Sequence, residues 1–217
     1  MDSRFSQSHL TSAEKVILAL RTAITSGALP AGMQIRQEEI AAQYDVSRMP
    51  VREALRQLEA EGLIVIYPGR GAFVNRLSAD EIQEIYDIRI LLESDALRRA
   101  VPVLTPAILA EAETLLSQLA EARDGGEFGR IDEAFHAKLY IPAQRPRLLE
   151  LINTLRNQVT QFLYAAAPMK AYRDGAMEEH RQILDACHAG DVEGAVTSIK
   201  RHLSNSVGVV IASNSSM

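Results

Sequence analysis

The chain has few of the residues that stabilise secreted proteins or membrane proteins. It contains one cysteine, Cys187, and no tryptophan in 217 residues. A single cysteine cannot form an internal disulfide, which is typical of proteins in a reducing compartment. No apolar run approaches the roughly 18–20 residues that a membrane helix requires. The first residues also lack the basic patch and apolar core of a secretory signal. The sequence therefore predicts a cytoplasmic protein with no membrane partner.

A strong excess of one charge sign is also missing, although the charges are unevenly distributed. The net charge is −5. Residues 1–76 contain 9 Lys/Arg and 8 Asp/Glu, a balance of +1, whereas residues 77–217 contain 14 and 20, a balance of −6. We therefore predict two domains with different partners, 1–76 and 77–217. Because a local basic stripe attracts phosphate whatever the net charge, this balance does not exclude DNA.

The pattern of residues 12–76 predicts three helices followed by a β-hairpin. Apolar residues recur every four positions in the first helix, which should end at Gly27. A short second helix is expected at about Arg36–Tyr44, and Ser47 is a good N-cap for a third. The apolar segments 63–67 and 72–74 flank a Pro-Gly-Arg-Gly turn, which is typical of a hairpin.

The third predicted helix carries an apolar stripe and a separate cationic stripe. Arg48, Arg52 and Arg56 recur every four residues, and each step turns about 40° around the helix axis. Taken alone, this stripe is a solvated helix face whose arginines pair with neighbouring glutamates. Three helices and a hairpin, however, describe a winged helix-turn-helix. In that fold the third helix enters a major groove, and Arg70 at the hairpin tip can reach the backbone or the minor groove.

Three segments of this region resemble the signature of GntR-type bacterial repressors. They are Gly-Ala-Leu-Pro-Ala-Gly at 27–32, Ser-Arg-Met-Pro-Val-Arg-Glu-Ala-Leu at 47–55 and Glu-Gly-Leu at 61–63. The resemblance implies that the recognition helix and the wing glycines contact operator DNA. Many relatives carry an arginine where this chain has Glu38, so that contact should be missing or should move to Arg36. The predicted DNA-binding residues are Arg36, Ser47, Arg48, Met49, Arg52, Gly69, Arg70 and Gly71.

Residues 77–217 show helical patterns and no strand-like alternation. Ser78 and Glu81 have the spacing of a capping box, which predicts a helix start. A second helix is expected to begin after Thr105 and to end at Asp124-Gly125-Gly126. Further helices are expected at about 129–140, 146–166, 173–189 and 192–212. The predicted fold class is mainly α: a winged helix-turn-helix with a small β-hairpin, followed by an antiparallel bundle of about six helices.

Four residues of the predicted bundle have the chemistry of metal ligands. Asp132 and His136 are four residues apart, so both side chains project from one helix face. His180 and His202 lie on the two final helices, and an antiparallel bundle can bring all four to one interior point. Three imidazoles and a carboxylate suit a divalent ion such as zinc, nickel or manganese. Spacing alone leaves open that Asp132 and His136 form a surface ion pair.

The segments that contain these residues resemble the FadR-type C-terminal ligand-binding domain. The matching segments are Asp132–His136, Glu179–Leu184, Gly190-Asp191 and His202-Leu203. In the metal-dependent branch of that family, one aspartate and three histidines hold the ion, which implies the same four residues here. The resemblance also implies a small carboxylate effector that completes the coordination of the metal. An arginine of the domain's first helix, matched by Arg89, contacts that effector. The alternative for Arg89 is an ion pair with Glu93.

Together these features predict a transcriptional repressor that binds a near-palindromic operator as a homodimer and responds to a metabolite. One alternative is a metal-dependent hydrolase, since an ion with an open coordination position can activate water. No general acid–base pair can be assigned to such a site, and an enzyme has no use for a winged helix. The other alternative is a DNA-binding protein in which the metal only braces the bundle. Effector-dependent release of the operator distinguishes a sensor from that structural alternative.

Overall fold

The chain divides into two units, Met1–Arg76 and Leu77–Met217. The computed structural model describes residues 10–166 and 169–214, and describes side chains within 10–160 and 173–212. In that part of the chain, the first unit combines helices with a small antiparallel sheet and the second unit is helical. The mainly α fold class, a winged helix-turn-helix followed by a helical bundle, is therefore confirmed.

The first unit contains three helices and a three-stranded sheet among its described residues. These elements are α1 (Ser12–Thr25), β1 (Gln34–Ile35), α2 (Gln37–Gln43), α3 (Arg48–Ala60), β2 (Ile64–Tyr67) and β3 (Gly71–Val74). Strand β3 is central and pairs antiparallel with both others, with Phe73 opposite Val65 of β2 and Gln34 of β1. The predicted hairpin therefore gains a third strand. Strand β1 was missed because two residues are too few to show alternation.

The core of the first unit lies between its helices and the sheet. Residues Val16, Leu20 and Ile24 of α1 are buried, as are the apolar residues of α3. The buried residues of α3 are Val51, Ala54, Leu55 and Leu58. Full burial of one such aliphatic side chain contributes roughly 1.5–3 kcal/mol. This packing fixes the rotation of α3 about its axis and keeps its arginine stripe in solvent.

The second unit is a bundle in which six helices are described. They are α4 (Ala79–Ala100), α5 (Pro106–Glu121), α6 (Gly125–Tyr140), α7 (Pro146–Ala166), α8 (Met169–His188) and α9 (Val192–Asn214). Helix α4 packs against α6, α7 and α9, and helix α8 packs against α5 and α9. The capping box at the start of α4 is present, with Glu81 N donating to Ser78 Oγ and Ser78 N donating to Glu81 Oε2. None of the helices in the described ranges is long and apolar enough to cross a membrane.

The predicted boundary between α5 and α6 is wrong. Helix α5 ends at Glu121, whereas Asp124-Gly125-Gly126, predicted as its end, begins α6. Asp124 Oδ1 accepts a hydrogen bond from Glu127 N at 2.8 Å, so Asp124 is the N-cap of α6. Glycine commonly ends helices, but it is also tolerated in a first turn, where the N–H groups lack intrahelical partners. Helix α6 consequently starts at Gly125 rather than near 129, and α8 starts at Met169 rather than near 173.

Candidate metal centre and nucleic-acid interface

Four side chains with metal-ligand chemistry converge inside the helical unit. They are Asp132 and His136 of α6, His180 of α8 and His202 of α9. Each offers one ligand atom, and these atoms all lie within 4.8 Å of one another. All four side chains are buried, and His180 is 0% exposed. Three helices therefore bring one pair from α6 together with two histidines that are distant in the sequence.

The distances inside this cluster are close to those of a coordination shell. His180 Nε2 lies 2.8 Å from Asp132 Oδ1 and 3.1 Å from His136 Nε2. His136 Nε2 in turn lies 3.7 Å from Asp132 Oδ1. The His202 ring is 4.5 Å from that of His180, centroid to centroid. Nitrogen and oxygen ligands that bind one ion at about 2.0–2.2 Å lie roughly 3 Å from each other.

Hydrogen bonds outside the cluster orient two of the imidazoles. The Tyr140 hydroxyl donates to Glu93 Oε2 at 2.7 Å, so its oxygen can accept the Nδ1 proton of His136, 3.1 Å away. His202 Nδ1 lies 2.8 Å from Glu179 Oε2, a carboxylate oxygen that can only accept. These partners favour a proton on Nδ1 of each ring, and in that tautomer the Nε2 lone pair is available to a metal.

Burial and neighbouring charges set the protonation of the cluster. Burial opposes ionisation of Asp132, but the positive charge of Arg156, which donates to Oδ2, helps to hold the pKa of Asp132 well below its usual range. Burial favours the neutral imidazole of His136 and lowers its pKa well below the ordinary value. Burial and the nearby His202 also lower the pKa of His180. At neutral pH Asp132 is thus a carboxylate and His136 and His180 are neutral imidazoles, the forms that bind divalent ions.

His180 differs from the other two histidines at its second ring nitrogen. Its Nδ1 atom is buried and has no hydrogen-bond partner in the part of the chain whose side chains are described. The other nitrogen, Nε2, contacts both Asp132 and His136. Coordination of an ion by Nε2 would stabilise the ring in this buried position. The donor set, its burial and its protonation therefore fit a divalent metal.

Arg89, the predicted effector contact, is buried in the same unit. Its Nε donates to Glu93 Oε1 at 2.9 Å, and its Cζ lies 4.7 Å from the centroid of the Tyr86 ring. The ion pair with Glu93, which the sequence offered as the alternative, is therefore present. Because Glu93 also accepts from Tyr140, this ion pair is connected through side chains to His136.

Four polar residues of this interior were not among the predicted site residues. They are Glu93, Tyr140, Arg156 and Glu179. Glu93 lies four residues after Arg89, and Tyr140 lies four residues after His136. Because residues at this spacing share a helix face, both could have been predicted as neighbours of the site. Glu179 directly precedes the ligand candidate His180, but its partner His202 lies on another helix. Arg156 carries no such signal, because its partner Asp132 lies on another helix.

The predicted recognition helix exposes its arginine stripe. Arg48, Arg52 and Arg56 are all solvent-exposed on α3. Neither Arg52 nor Arg56 forms an ion pair with a described residue, so the expected alternative of pairing with glutamates of the same helix is not observed. Arg48 pairs with Glu38 of α2 at 3.2 Å. Ser47 occupies the predicted N-cap position, but its side chain makes no capping hydrogen bond. The expected side-chain cap is therefore absent, and Ser47 is exposed.

The wing turn between β2 and β3 contains the other predicted DNA contacts. Gly69 has φ +73° and Gly71 has φ +96°, a backbone region that glycine adopts at little cost. Arg70, between them, is exposed, and its Cζ lies 5.7 Å from the Tyr67 ring centroid. The two glycines are thus required by the turn, which presents Arg70 at its tip.

The remaining two predicted contacts lie on the surface of the same unit. Met49 is in the first turn of α3 and is 69% exposed. Arg36 immediately precedes α2 and pairs with Glu39 at 3.3 Å. The second helix was predicted from Arg36 to Tyr44, and those two residues are its N-cap and C-cap.

Two family models match the chain. The model described as "Bacterial regulatory proteins, gntR family" matches residues 12–74, and the model of the FCD domain matches residues 84–205. The second match alone spans more than half of the chain. The wing and recognition helix lie in the first matched range, and the metal-ligand cluster lies in the second.

Individual relatives agree with these models. The chain is 34% identical over 183 residues to the "Probable D-xylose utilization operon transcriptional repressor" of Paenarthrobacter nicotinovorans, covering 83% of this chain and 80% of that protein. It is 28% identical over 208 residues to the HTH-type transcriptional repressor RspR of Escherichia coli K12, covering 93% and 91%. The solved structure of E. coli McbR/YncC is similar with a TM-score of 0.84 and 27% identity, covering 94% of this chain and 98% of that one. The chain therefore belongs to the GntR family of bacterial transcriptional regulators, which are DNA-binding proteins rather than enzymes, and it carries an FCD domain after its winged helix.

Proposed function

We propose that this regulator is a homodimeric, metal-dependent repressor that binds a near-palindromic operator and responds to a small carboxylate. The observation that carries the sensory part is the convergence of Asp132, His136, His180 and His202 within 4.8 Å. The repressor assignment is supported by the names of two relatives. A regulator of the reducing cytoplasm agrees with one free, buried cysteine, Cys187.

In the proposed complex with DNA, α3 enters the major groove and the wing lies along the backbone. Arg48 and Arg52 have the planar donor geometry for bidentate contacts to a guanine edge. Ser47 and Met49, exposed beside them, complete the contact surface of the first turn. Arg70 and the glycines Gly69 and Gly71 approach phosphate or the minor groove.

Dimerisation follows from the size of this interface. One winged helix covers one half-site, whereas two copies related by symmetry read a palindrome and reach the affinity of specific operators. Large apolar residues of the helical unit are exposed: Ile88, Leu91, Val103, Ile141 and Leu151. Leu91 is 70% exposed in the middle of α4. A second copy that covers part of this apolar surface would stabilise the dimer.

The proposed sensor needs an ion with room for an exogenous ligand. Four protein ligands leave a position for a carboxylate only if the ion takes five or six ligands, which favours an open octahedral arrangement over closed tetrahedral zinc. The ion would supply positive charge that binds the effector carboxylate. Arg89 supplies a second positive group, and its burial strengthens the attraction for an anion.

Replacement of one metal ligand tests this function. His180→Ala should lose the metal and the response to carboxylates while keeping at least part of its operator binding, because the predicted operator contacts lie in the other unit. Metal content by elemental analysis and operator titrations with and without candidate carboxylates measure these properties. His188→Ala, which changes an exposed histidine at the end of the same helix, is the control. A His180→Ala protein that holds stoichiometric metal and still responds would contradict the proposal.

A further inference from the structure

A chain of buried hydrogen bonds connects the metal-ligand cluster to Arg89. Arg89 Nε donates to Glu93 Oε1 at 2.9 Å. The Tyr140 hydroxyl donates to the other oxygen, Glu93 Oε2, at 2.7 Å. The oxygen of that hydroxyl lies 3.1 Å from His136 Nδ1. The Glu93 carboxylate thus accepts one hydrogen bond from Arg89, the predicted anion contact. It accepts another from Tyr140, which supports the metal-ligand candidate His136.

Every side chain in this series of hydrogen bonds is buried. Glu93 is 1% exposed, Tyr140 2%, His136 3% and Arg89 5%. At such burial a donor or acceptor that loses its partner cannot be compensated by water, so each of these hydrogen bonds strongly constrains its side chains. The direction of these hydrogen bonds is also fixed. The Glu93 carboxylate only accepts, so Tyr140 must donate to it and must accept from His136.

We propose that Tyr140 and Glu93 are positioning residues that hold His136 in the tautomer that binds metal and hold Arg89 in place for the effector carboxylate. This inference rests on the proposed metal-dependent function. Tyr140 fixes the Nδ1 proton and the ring orientation of His136. Glu93 fixes both Tyr140 and Arg89, so that a single side chain aligns the metal ligand and the anion contact.

Tyr86 provides a matched control for Tyr140. Both are buried tyrosines, but the Tyr86 hydroxyl lies on the Arg89 side of this interior and makes no hydrogen bond to Glu93 or His136. Tyr140→Phe removes a hydroxyl that joins Glu93 to His136, whereas Tyr86→Phe removes one that joins neither and keeps the ring against Arg89. Each change deletes one oxygen from the same interior, so a general loss of packing affects both proteins alike.

The first measurement is metal affinity of the full-length, chelator-treated protein, titrated with Zn²⁺ alone and with Ni²⁺ alone. Loss of a hydrogen bond that supports a ligating histidine typically weakens metal binding 10–100-fold. We expect a loss in that range for Tyr140→Phe and less than about three-fold for Tyr86→Phe. Equal affinities of Tyr140→Phe and the wild type would overturn the role of Tyr140.

The second measurement reports the tautomer of His136 directly. Long-range ¹H–¹⁵N spectra of ¹⁵N-histidine-labelled, metal-free protein distinguish a proton on Nδ1 from one on Nε2. We expect the Nδ1–H form in the wild type and in Tyr86→Phe, and a mixture in Tyr140→Phe. A purely structural role of Tyr140 would leave the tautomer unchanged, which would also overturn the proposal.

A Glu93→Gln variant tests the branch to Arg89. The amide has one acceptor oxygen and can accept from Tyr140 or from Arg89 but not from both. Metal affinity should therefore fall. Acetate serves as a minimal carboxylate, and its effect on the metal affinity should also become smaller. In Tyr140→Phe the acetate effect should persist once metal is bound. If the wild type binds neither metal, the proposed function fails as a whole. If the wild type binds metal and all variants have the same metal affinity, only the proposed positioning role of Tyr140 and Glu93 is wrong.

Discussion

The guanidinium of Arg48 forms an ion pair with Glu38, with 3.2 Å between Nη1 and Oε1. The pair joins the first residue of α3 to helix α2. Both side chains are more than half exposed, so the pair itself contributes at most about 1 kcal/mol to stability. The first turn of α3 has no acidic residue of its own. Glu38 therefore supplies negative charge where operator phosphate and base edges are expected to approach.

Glu38→Gln should strengthen operator binding. The change removes a negative charge near the DNA backbone and releases Arg48, which can then contact DNA without first breaking an ion pair. We expect a gain of roughly two- to five-fold in affinity, as for the loss of a weak surface pair. If the released Arg48 contacts a base edge, as proposed, the log–log salt slope should change by less than the roughly 0.9 of one added phosphate contact. Fluorescence anisotropy at several salt concentrations measures both quantities.

Glu39→Gln is the comparison for this variant. It removes the same charge from the same helix but releases Arg36 instead of Arg48. A larger gain for Glu38→Gln assigns the contact to Arg48. A larger gain for Glu39→Gln would instead show that Arg36 is the helix α2 contact with DNA. Weaker binding by Glu38→Gln would mean that Glu38 orients Arg48 productively.

Arginine substitutions separate base recognition from phosphate attraction. Arg48→Ala or Arg52→Ala should cost roughly 1–3 kcal/mol on the correct operator and should relax its base preference, since a bidentate guanine contact is lost. Arg70→Ala should weaken binding to all sequences alike and flatten the salt dependence. Titrations against an operator and a scrambled duplex measure the difference. Full, sequence-selective binding by an Arg48→Ala/Arg52→Ala protein would contradict the proposed recognition helix.

The extent to which the sequence predicted the structure differs between local and tertiary features. Ser78 and Thr105 were identified as helix starts because a cap depends on residues three positions apart. Strand β1 was missed because two residues are too few to show a pattern. The cap at Asp124 was missed because the two glycines that follow it are more typical of a helix end. Element type thus followed from local chemistry, whereas element boundaries did not.

The same distinction applies to the candidate site. The metal-ligand candidates were found from residue type and from a family resemblance, but their mutual distances depend on how three helices pack. Arg156 meets Asp132 across two helices, and nothing in the spacing of either residue indicates this. Glu93 was considered only as a partner of Arg89. Its second hydrogen bond, to Tyr140, is a tertiary contact that no single helix encodes.

A charged residue in the exposed apolar surface of α4 should prevent dimerisation. Leu91→Asp places a carboxylate where the proposed dimer buries an apolar side chain, and an unpaired buried charge costs several kcal/mol. We expect the full-length variant to sediment as a monomer at micromolar concentration and to lose most operator affinity. Leu18→Asp, at a residue of α1 that is 47% exposed, is the control. A dimeric Leu91→Asp protein would place the interface elsewhere.

The metal-free protein should lose stability as the pH falls from about 7.5 to 5.5. Burial lowers the pKa of His136 and of His180 in the folded state, while both imidazoles regain a pKa near 6.5 on unfolding. Below that value the unfolded chain binds more protons than the folded one, so the free energy of unfolding decreases with decreasing pH. The lowered pKa of Asp132 adds a further loss only in more acidic solution, below its unfolded pKa of about 3.9. Thermal unfolding of chelator-treated protein across this range measures the effect, and a His136→Gln/His180→Gln protein should show a flatter dependence. An unchanged Tm between pH 7.5 and 5.5 in the wild type would mean that the two imidazoles have the same pKa in the folded and unfolded states, which would contradict their burial as neutral ligands.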